Sequence, residues 1–405
     1  MKPLSKISSI IIILIIAAFV RFHGLTKEDL WYDEAFSVYH SQHSFNHIIN
    51  LDENTPPLHA SLLSIFLKVI GTSEFSARLL SAIFGILCVL LIYLYGKYAF
   101  NEKVGMIASL ILALSSYHIY YSQEARTYSL LGFLSLASLY YYAKFRDSPN
   151  ILNSILYPIF SILLMYTHYF GILVIIVQNI HYFFFNPNKK TKKWIYLQVV
   201  IALSYTPWIL KFINRISAIY NGFWITRSYL WLVFLYPFIY SGGIVLGIIY
   251  FSLFLYSARY YLKNIKKIKN NEHSQIELLL LFIFIPIILA VIYSIAIAPI
   301  LSHQYVMYTS LGMFVMIANG IHKLRKPYKF TIMLMIIAIS LLYISLQSQN
   351  QLKYKWKDSA DYVKSMVKPN DVIVIFPGHH ILPFLYYFDD CFHSIEPDEC
   401  LRKKI

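Results

Sequence analysis

Long apolar runs, broken by short polar stretches, set the pattern of the chain. They fall at residues 7–20, 79–97, 104–118, 127–143, 151–166, 169–185, 193–210, 229–257, 276–298, 304–321 and 329–346. A helix of about 20 apolar residues crosses the hydrocarbon of a bilayer, so these eleven runs are expected to be transmembrane helices, the shorter ones completed by flanking residues. Residues 57–70 form a further apolar stretch of only 14 residues that carries His59 and Lys68. It is too short to cross and is expected to lie along the interface as an amphipathic helix opened by Pro56-Pro57. The first run follows Lys2 and Lys6 with no small-x-small cleavage pattern after it. A retained span is expected there, not a signal peptide.

The polar stretches give the spans a direction. Asn186 to Lys193 has four lysines and no acid, Arg259 to Gln275 has five basic residues against Glu272, and His322 to Lys329 has four basic residues. Such loops stay in the cytoplasm. Arg21 to Arg78 holds seven acidic residues against four basic ones, which places this large first loop outside. Eleven spans satisfy both constraints, with the N-terminus inside and the C-terminus outside. Counting 57–70 as a span would put the basic loops on the wrong side. From about Gln349 the pattern becomes a balanced polar segment with eight basic and eight acidic residues. Apolar spacing predicts a helix over Trp356 to Val367, and Asp371-Val-Ile-Val-Ile-Phe376 predicts a short buried strand stopped by Pro377-Gly378. The expected architecture is an all-α polytopic membrane domain over residues 1–348, with juxtamembrane helices in its first outer loop, followed by a small extracytoplasmic α/β domain over 349–405. Fewer than 60 residues make a meagre core, so that domain is expected to lean on the membrane part.

A chain that is 58% hydrophobic and 14% charged is not a soluble protein. Its net charge of +15 would point to nucleic acid in a soluble chain. Here the excess lies mainly in loops facing anionic lipid, and no nucleic-acid motif is present. Of the three cysteines, Cys88 falls within a span and Cys391 and Cys400 lie near the C-terminus. Neither a metal cluster nor a disulfide scaffold is indicated, although an outside tail would let Cys391 and Cys400 pair.

With this sidedness, particular polar groups collect at the outer end of the spans. The first is Leu30-Trp-Tyr-Asp-Glu-Ala-Phe-Ser37, where Asp33 and Glu34 stand between aromatic residues just past the first span. Asp33 is the candidate catalytic base; an ordinary helix start, with both acids in a first turn, is the simpler alternative. The second is Tyr120 to Tyr128, with Glu124 and Arg126 at the mouth of a span, where an unpaired charge is costly. Tyr32, His59, Arg78, His168, Gln304 and Tyr305 are expected on the same side. Arg215 and Arg227 share an outer loop with aromatic residues and no acid, against the positive-inside bias, and this asks for an anionic partner. Carboxylates, guanidiniums and tyrosines facing apolar helices suit a substrate that is part lipid and part anion, since arginine holds phosphate oxygens in a bidentate fork.

Four motifs in order, Leu30-Trp-Tyr-Asp-Glu-Ala, Thr55-Pro-Pro-Leu-His59, Glu74-Phe-Ser-Ala-Arg-Leu-Leu-Ser-Ala-Ile-Phe-Gly85 and Tyr121-Ser-Gln-Glu-Ala-Arg-Thr-Tyr128, resemble the membrane-integrated C-type glycosyltransferases. Within that superfamily the chain looks most like the dolichyl-phosphate-mannose protein mannosyltransferases and the bacterial aminoarabinose transferases of lipid A. The motifs cover about the first 170 residues; the remainder is similar in span layout. The resemblance implies a donor sugar on a polyprenyl phosphate, an outer-face site and inversion at the anomeric carbon, with the first-loop aspartate at Asp33. The late Arg-Tyr that such proteins often carry aligns with Gln304-Tyr305, so that arginine is missing here.

Elementary chemistry leads to the same expectation. Displacing a lipid phosphate from a sugar needs a base for the acceptor hydroxyl, while phosphate leaves without a general acid, so one carboxylate suffices. Asp33 is that base; Glu34 orients the acceptor or an arginine, Arg78 and Arg126 stabilise charge on the phosphate, and Glu124 holds Arg126. The expected partners are the polyprenyl-phosphate sugar, membrane lipid and an acceptor that is lipid, polysaccharide or protein. No cofactor is expected, with an essential divalent metal as the less favoured alternative: Asp33, Glu34, His59 and His168 could assemble a site but follow no metal-ligand spacing. The alternatives are a transporter or lipid flippase, which would carry charges at midplane and inverted repeats, and a non-catalytic scaffold, which would not need these charges on one face.

Overall fold

The computed structural model describes residues 3–50, 56–185, 191–221, 225, 227–349, 353–368, 371–394 and 397–398. Helix α1 (Pro3–Phe22) leads into a first loop that carries α2 (Tyr32–Ser41), α3 (Phe45–Asn50) and α4 (Leu58–Ile70). The bundle continues with α5 (Glu74–Ala99), α6 (Glu102–Ala113), α7 (Ser116–Ser122), α8 (Tyr128–Asp147), α9 (Ile151–Met165), α10 (Gly171–Phe185) and α11 (Thr191–Asn221). After a 3₁₀ stretch, Arg227–Leu235, come α12 (Tyr236–Ser241), α13 (Ile244–Asn264), α14 (Asn270–Ala296), α15 (Thr309–Lys323) and α16 (Lys326–Gln349). The tail adds α17 (Trp356–Met366) and α18 (Ile381–Phe388).

Among the described residues five helices, α5, α11, α13, α14 and α16, are long and apolar enough to cross a membrane, and α6 with α7 makes a sixth across a 64° bend. Helices α1, α4, α9 and α10 are apolar but shorter. Two of the expected runs are therefore interrupted. The run 104–118 breaks where the Ser115 hydroxyl caps a new helix by accepting from His118 N–H. The run 229–257 breaks at Gly242, which ends α12 in the left-handed region at φ +82°, with Ser116 occupying the space a Cβ would need.

Helix α5 is the hub, packed on α1, α6 and α8, while α8 packs on α9, α13 on α15, and α10 on α14. Arg21 is fully buried at the end of α1 and donates to the carbonyls of Leu112 (3.1 Å) and Ala113 (3.2 Å), the last residues of α6. It thereby supplies donors where the bend between α6 and α7 weakens the helical ladder, adding to the long bond of 3.4 Å that the Leu112 carbonyl accepts from the Ser115 N–H.

The tail corrects one expectation. Helix α17 forms as predicted, but residues 371–375 form no strand among the described residues, and Val372, Val374 and Phe376 are exposed instead of buried. A strand needs a neighbour to accept its hydrogen bonds, and the described tail offers helices instead. The α/β description therefore gives way to a helical one. Cys391 is disulfide-bonded and Cys88 is a buried free thiol; Cys400, the expected partner, lies outside the described residues.

Candidate active site

The site grows from the first turn of α2. Trp31 is the extended residue before the helix, and Tyr32, Asp33 and Glu34 follow in the turn where the dipole favours acids. Glu34, Ala35, Val38 and Ser41 are buried, so this face of α2 points into the protein. Glu34 is completely inaccessible. Its Oε1 accepts from Arg78 Nε at 2.7 Å and from the Ala125 N–H at 3.0 Å; its Oε2 accepts from Arg78 Nη2 at 2.8 Å and Lys353 Nζ at 2.8 Å. One carboxylate thus ties together α2, the start of α5, the loop between α7 and α8, and the tail. Burial alone would push its pKa up, but Arg78 and then Lys353 overcome that and hold it at about 2.

Arg78 is saturated. Besides Glu34 it donates to the backbone carbonyls of Leu25 (2.6 Å), Glu28 (2.8 Å) and Asp29 (3.1 Å), which fold the first loop around its guanidinium. This overturns its expected role as a phosphate ligand, and Glu34 is likewise an anchor with no place for an acceptor. Glu124 is buried beside them, 3.9 Å from Lys353 Nζ. Burial raises its carboxyl to about 7, with Lys353 offsetting part of that rise. Glu124 therefore belongs to the Lys353 cluster, and Arg126 is held by other groups.

Arg126 turns the other way. Its Nη1 donates to the Asp33 carbonyl (3.2 Å) and the Ser37 hydroxyl (3.1 Å), and its Nη2 lies 3.6 Å from the Asp33 carboxylate. Asp33 and Arg126 both face a cavity of about 830 Å³. Its polar end also has Tyr32, Tyr128, His168, Arg215, Gln304, Tyr305 and, from the tail, His379. Its other walls are apolar: Ile172, Leu173 and Ile176 of α10, Phe212, Ile216 and Ile219 of α11, and Leu289, Ile292 and Ala296 of α14. The Tyr305 ring lies 5.0 Å from that of His168 and 6.4 Å from that of Tyr128. His168 Nδ1 accepts from the Phe170 N–H at 3.2 Å, which leaves the proton on Nε2, and burial lowers the imidazole to about 3, so it stays neutral.

Eight of the residues expected from sequence thus converge on one cavity: Tyr32, Asp33, Arg126, Tyr128, His168, Arg215, Gln304 and Tyr305. Glu34, Arg78 and Glu124 form a separate buried charge cluster behind it. His59 is buried on α4, its Nε2 without a hydrogen-bond partner and its imidazole lowered to about 3 by burial, and it does not line the cavity. The Arg227 side chain lies outside the described residues. Asp33, Glu34, His59 and His168 do not converge as a metal-ligand set, and among the described residues no group of three or more such side chains could hold an ion. Two site residues escaped the sequence, Lys353 and His379. Both come from the tail, and the only local hint was the Pro377-Gly378 break before His379.

The model of the dolichyl-phosphate-mannose-protein mannosyltransferase family matches residues 54–210. No curated protein matches in sequence. Among solved structures, the oligosaccharyltransferase of Archaeoglobus fulgidus in its apo form is 15% identical with a TM-score of 0.58, over 96% of this chain and 60% of that one. ArnT from Cupriavidus metallidurans bound to undecaprenyl phosphate is 13% identical with a TM-score of 0.58, over 94% and 69%. The A. fulgidus enzyme AglB in complex with an inhibitory peptide and a dolichol-phosphate matches at 15% and 0.58, over 95% and 59%. The chain spans about 60% of the length of the archaeal enzyme. It has the fold of the membrane-integrated C-type glycosyltransferases, and over residues 54–210 it carries the sequence pattern of the dolichyl-phosphate-mannose-protein mannosyltransferases.

Proposed function

We propose that the chain is an inverting glycosyltransferase that moves a sugar from a polyprenyl-phosphate donor to a hydroxyl acceptor on the outer face of the membrane. The observation that carries this is the cavity itself, apolar along α10, α11 and α14 and closed at one end by Asp33 and Arg126. An isoprenoid chain suits the first part and a sugar phosphate the second. The similar structures contain undecaprenyl phosphate and dolichol-phosphate, ligands of that chemistry.

In the proposed step Asp33 takes the proton of the acceptor hydroxyl as its oxygen attacks the anomeric carbon. The bond from that carbon to the phosphate oxygen breaks, and the phosphate leaves with the electron pair. Arg126 and Arg215 stand on the cavity wall to stabilise the charge that develops there, Arg215 serving where the late arginine is missing. The proposed step needs no general acid, because phosphate is a stable leaving group. The acidic first loop and the Cys391 disulfide both support an extracytoplasmic location for this end.

The test is transfer of labelled sugar from synthetic polyprenyl-phosphate monosaccharides by the purified protein in nanodiscs, with Asp33→Asn alongside. Loss of a general base should slow turnover by about 10²- to 10⁴-fold. Undiminished turnover by the variant would end the assignment of Asp33. Binding of the lipid phosphate without turnover of any donor would favour a flippase.

A further inference from the structure

A second cavity, of about 370 Å³, shares no lining residue with the main one and meets the Glu34 cluster through Arg78 and Lys353. Its lining includes Ile119 and Tyr120 of α7 with Gln123 just past its end, and residues of the last turns of α1 and α16. Gln123 fixes that part of the lining by donating to the carbonyls of Val20 (3.3 Å), Arg21 (3.2 Å) and His23 (2.8 Å) at the end of α1. One wall is apolar, with Phe19 of α1 and Leu341 and Ile344 of α16. Phe19 and Leu341 are exposed on the outside of the bundle, and α16 is only lightly packed against the other helices. In a membrane protein such surfaces face lipid, so the cavity opens to the bilayer.

The other end is cationic. Lys27, Arg78 and Lys353 line it against the single carboxylate of Glu28. The carboxylates that balance Arg78 and Lys353, Glu34 and Glu124, stand behind them and do not line the cavity. Lys27 sits at the rim, where its ammonium donates to the Ser348 carbonyl and closes α1 against the end of α16. An occupant therefore meets hydrocarbon on one side and the ammonium groups of Lys27 and Lys353 on the other.

We propose that this cavity is a binding site for a bilayer lipid with an anionic, phosphate-bearing headgroup, entered sideways between α1 and α16 and distinct from the cavity at Asp33. Its acyl chain lies along Phe19, Leu341 and Ile344, and its phosphate pairs with Lys27 at the rim and approaches Lys353. Because Lys353 also pairs with Glu34, the neighbour of Asp33, an occupant of this site touches the framework of the first.

The experiment counts lipid retained by the full chain. Protein reconstituted in nanodiscs of equal phosphatidylglycerol and phosphatidylcholine is extracted into mild detergent, and bound lipid is measured by native mass spectrometry. One well-placed lysine is worth about a fivefold preference, so phosphatidylglycerol should be retained at least about fivefold over phosphatidylcholine. Lys27→Glu should abolish the preference, and Ile344→Trp, which fills the apolar end, should lower retention of both lipids. Size-exclusion profiles check that each variant remains folded. Equal retention of the two lipids by the native chain overturns the proposal without recourse to any variant. A preference that survives both substitutions also overturns it, by moving the anion site to the basic loops. Glycerol 3-phosphate that displaces phosphatidylglycerol at equal concentration would show a site for a soluble anion and refute the lipid. None of these readouts depends on sugar transfer, so they stand or fall apart from the proposed enzyme activity.

Discussion

Glu34→Gln removes one proton's worth of charge and leaves the shape of the site intact, which makes it the sharpest probe of the buried cluster. The wild-type carboxylate accepts four hydrogen bonds of 3.0 Å or less, three of them from the cations Arg78 and Lys353. A glutamine keeps one acceptor oxygen and turns an NH₂ toward a donor, so one cation loses its partner without gaining water. Breaking a buried pair this way costs about 3–5 kcal/mol. The direction of its titration is the same: despite burial, Arg78 and Lys353 hold the carboxyl well below its usual value, so the folded state prefers the ionised form. The sign follows from the depressed value. This stability is complete above about pH 4.5 and is lost as the pH falls toward 2, so it is constant across the neutral range. The assay is hydrogen exchange at the Ala125 amide, which Glu34 Oε1 holds. Local opening should become easier in the variant, and exchange should accelerate by about a hundredfold to a few thousandfold at neutral pH. Exchange within about threefold of wild type would mean that Arg78 and Lys353 are satisfied without Glu34, and the cluster would lose its anchoring role.

Glu124 titrates the opposite way. Its carboxyl, raised by burial to about 7, binds its proton more tightly in the folded state, so stability falls between about pH 4.5 and 7 and levels off above. Glu124→Gln should flatten that fall in thermal unfolding followed at pH 5, 6 and 8, and parallel curves for the two proteins would contradict the burial assigned to it. If the cavity takes a polyprenyl phosphate as proposed, Arg126→Ala, which removes a charged donor from its polar end, should weaken binding of undecaprenyl phosphate by about tenfold to a hundredfold, and an unchanged Kd would exclude Arg126 from a phosphate contact. Arg21→Leu takes the side-chain donor from the Ala113 carbonyl, at about 1–3 kcal/mol, and leaves the Leu112 carbonyl with its longer backbone bond from the Ser115 N–H (3.4 Å), away from the residues that line the cavity. It should lower the melting temperature while leaving the Kd for the same lipid as it was; a weakened Kd with an unchanged melting temperature would reverse that assignment.

Much of the helical framework was legible because apolar runs in a membrane protein are long, and helices stand at most of the positions where runs were read, although the runs 104–118 and 229–257 are each broken inside. The polar end of the cavity was legible for a related reason: with few charged residues, those at span ends stand out, and Asp33, Arg126, His168 and Tyr305 were found this way. What stayed hidden has three physical sources. Lys353 meets Glu34 across 319 positions, and a contact so distant leaves no periodic trace. Arg78 reads as a free guanidinium, yet backbone carbonyls of the first loop consume its donors, and nothing in a string of letters says where a carbonyl points. The stretch 371–376 has the composition of a strand but lacks a paired neighbour among the described residues, since pairing is a property of two segments.

The adjacent acids show how one helical step divides labour. Neighbouring side chains on an α-helix project about 100° apart, so the first turn of α2 cannot present Asp33 and Glu34 to the same surface. Glu34 takes the inward direction and Asp33 the cavity. The loop between α7 and α8 follows that division residue by residue: Glu124 approaches Lys353, the Ala125 amide binds Glu34, and Arg126 binds the Asp33 backbone and faces its carboxylate. Each partner fixes the next, because moving α2 to free Asp33 would break the bonds at Glu34. Held by a buried neighbour in this way, Asp33 keeps its position with a single long ion pair to Arg126 (3.6 Å), and under the proposed function its carboxylate would be free to take the proton of an acceptor hydroxyl in the cavity.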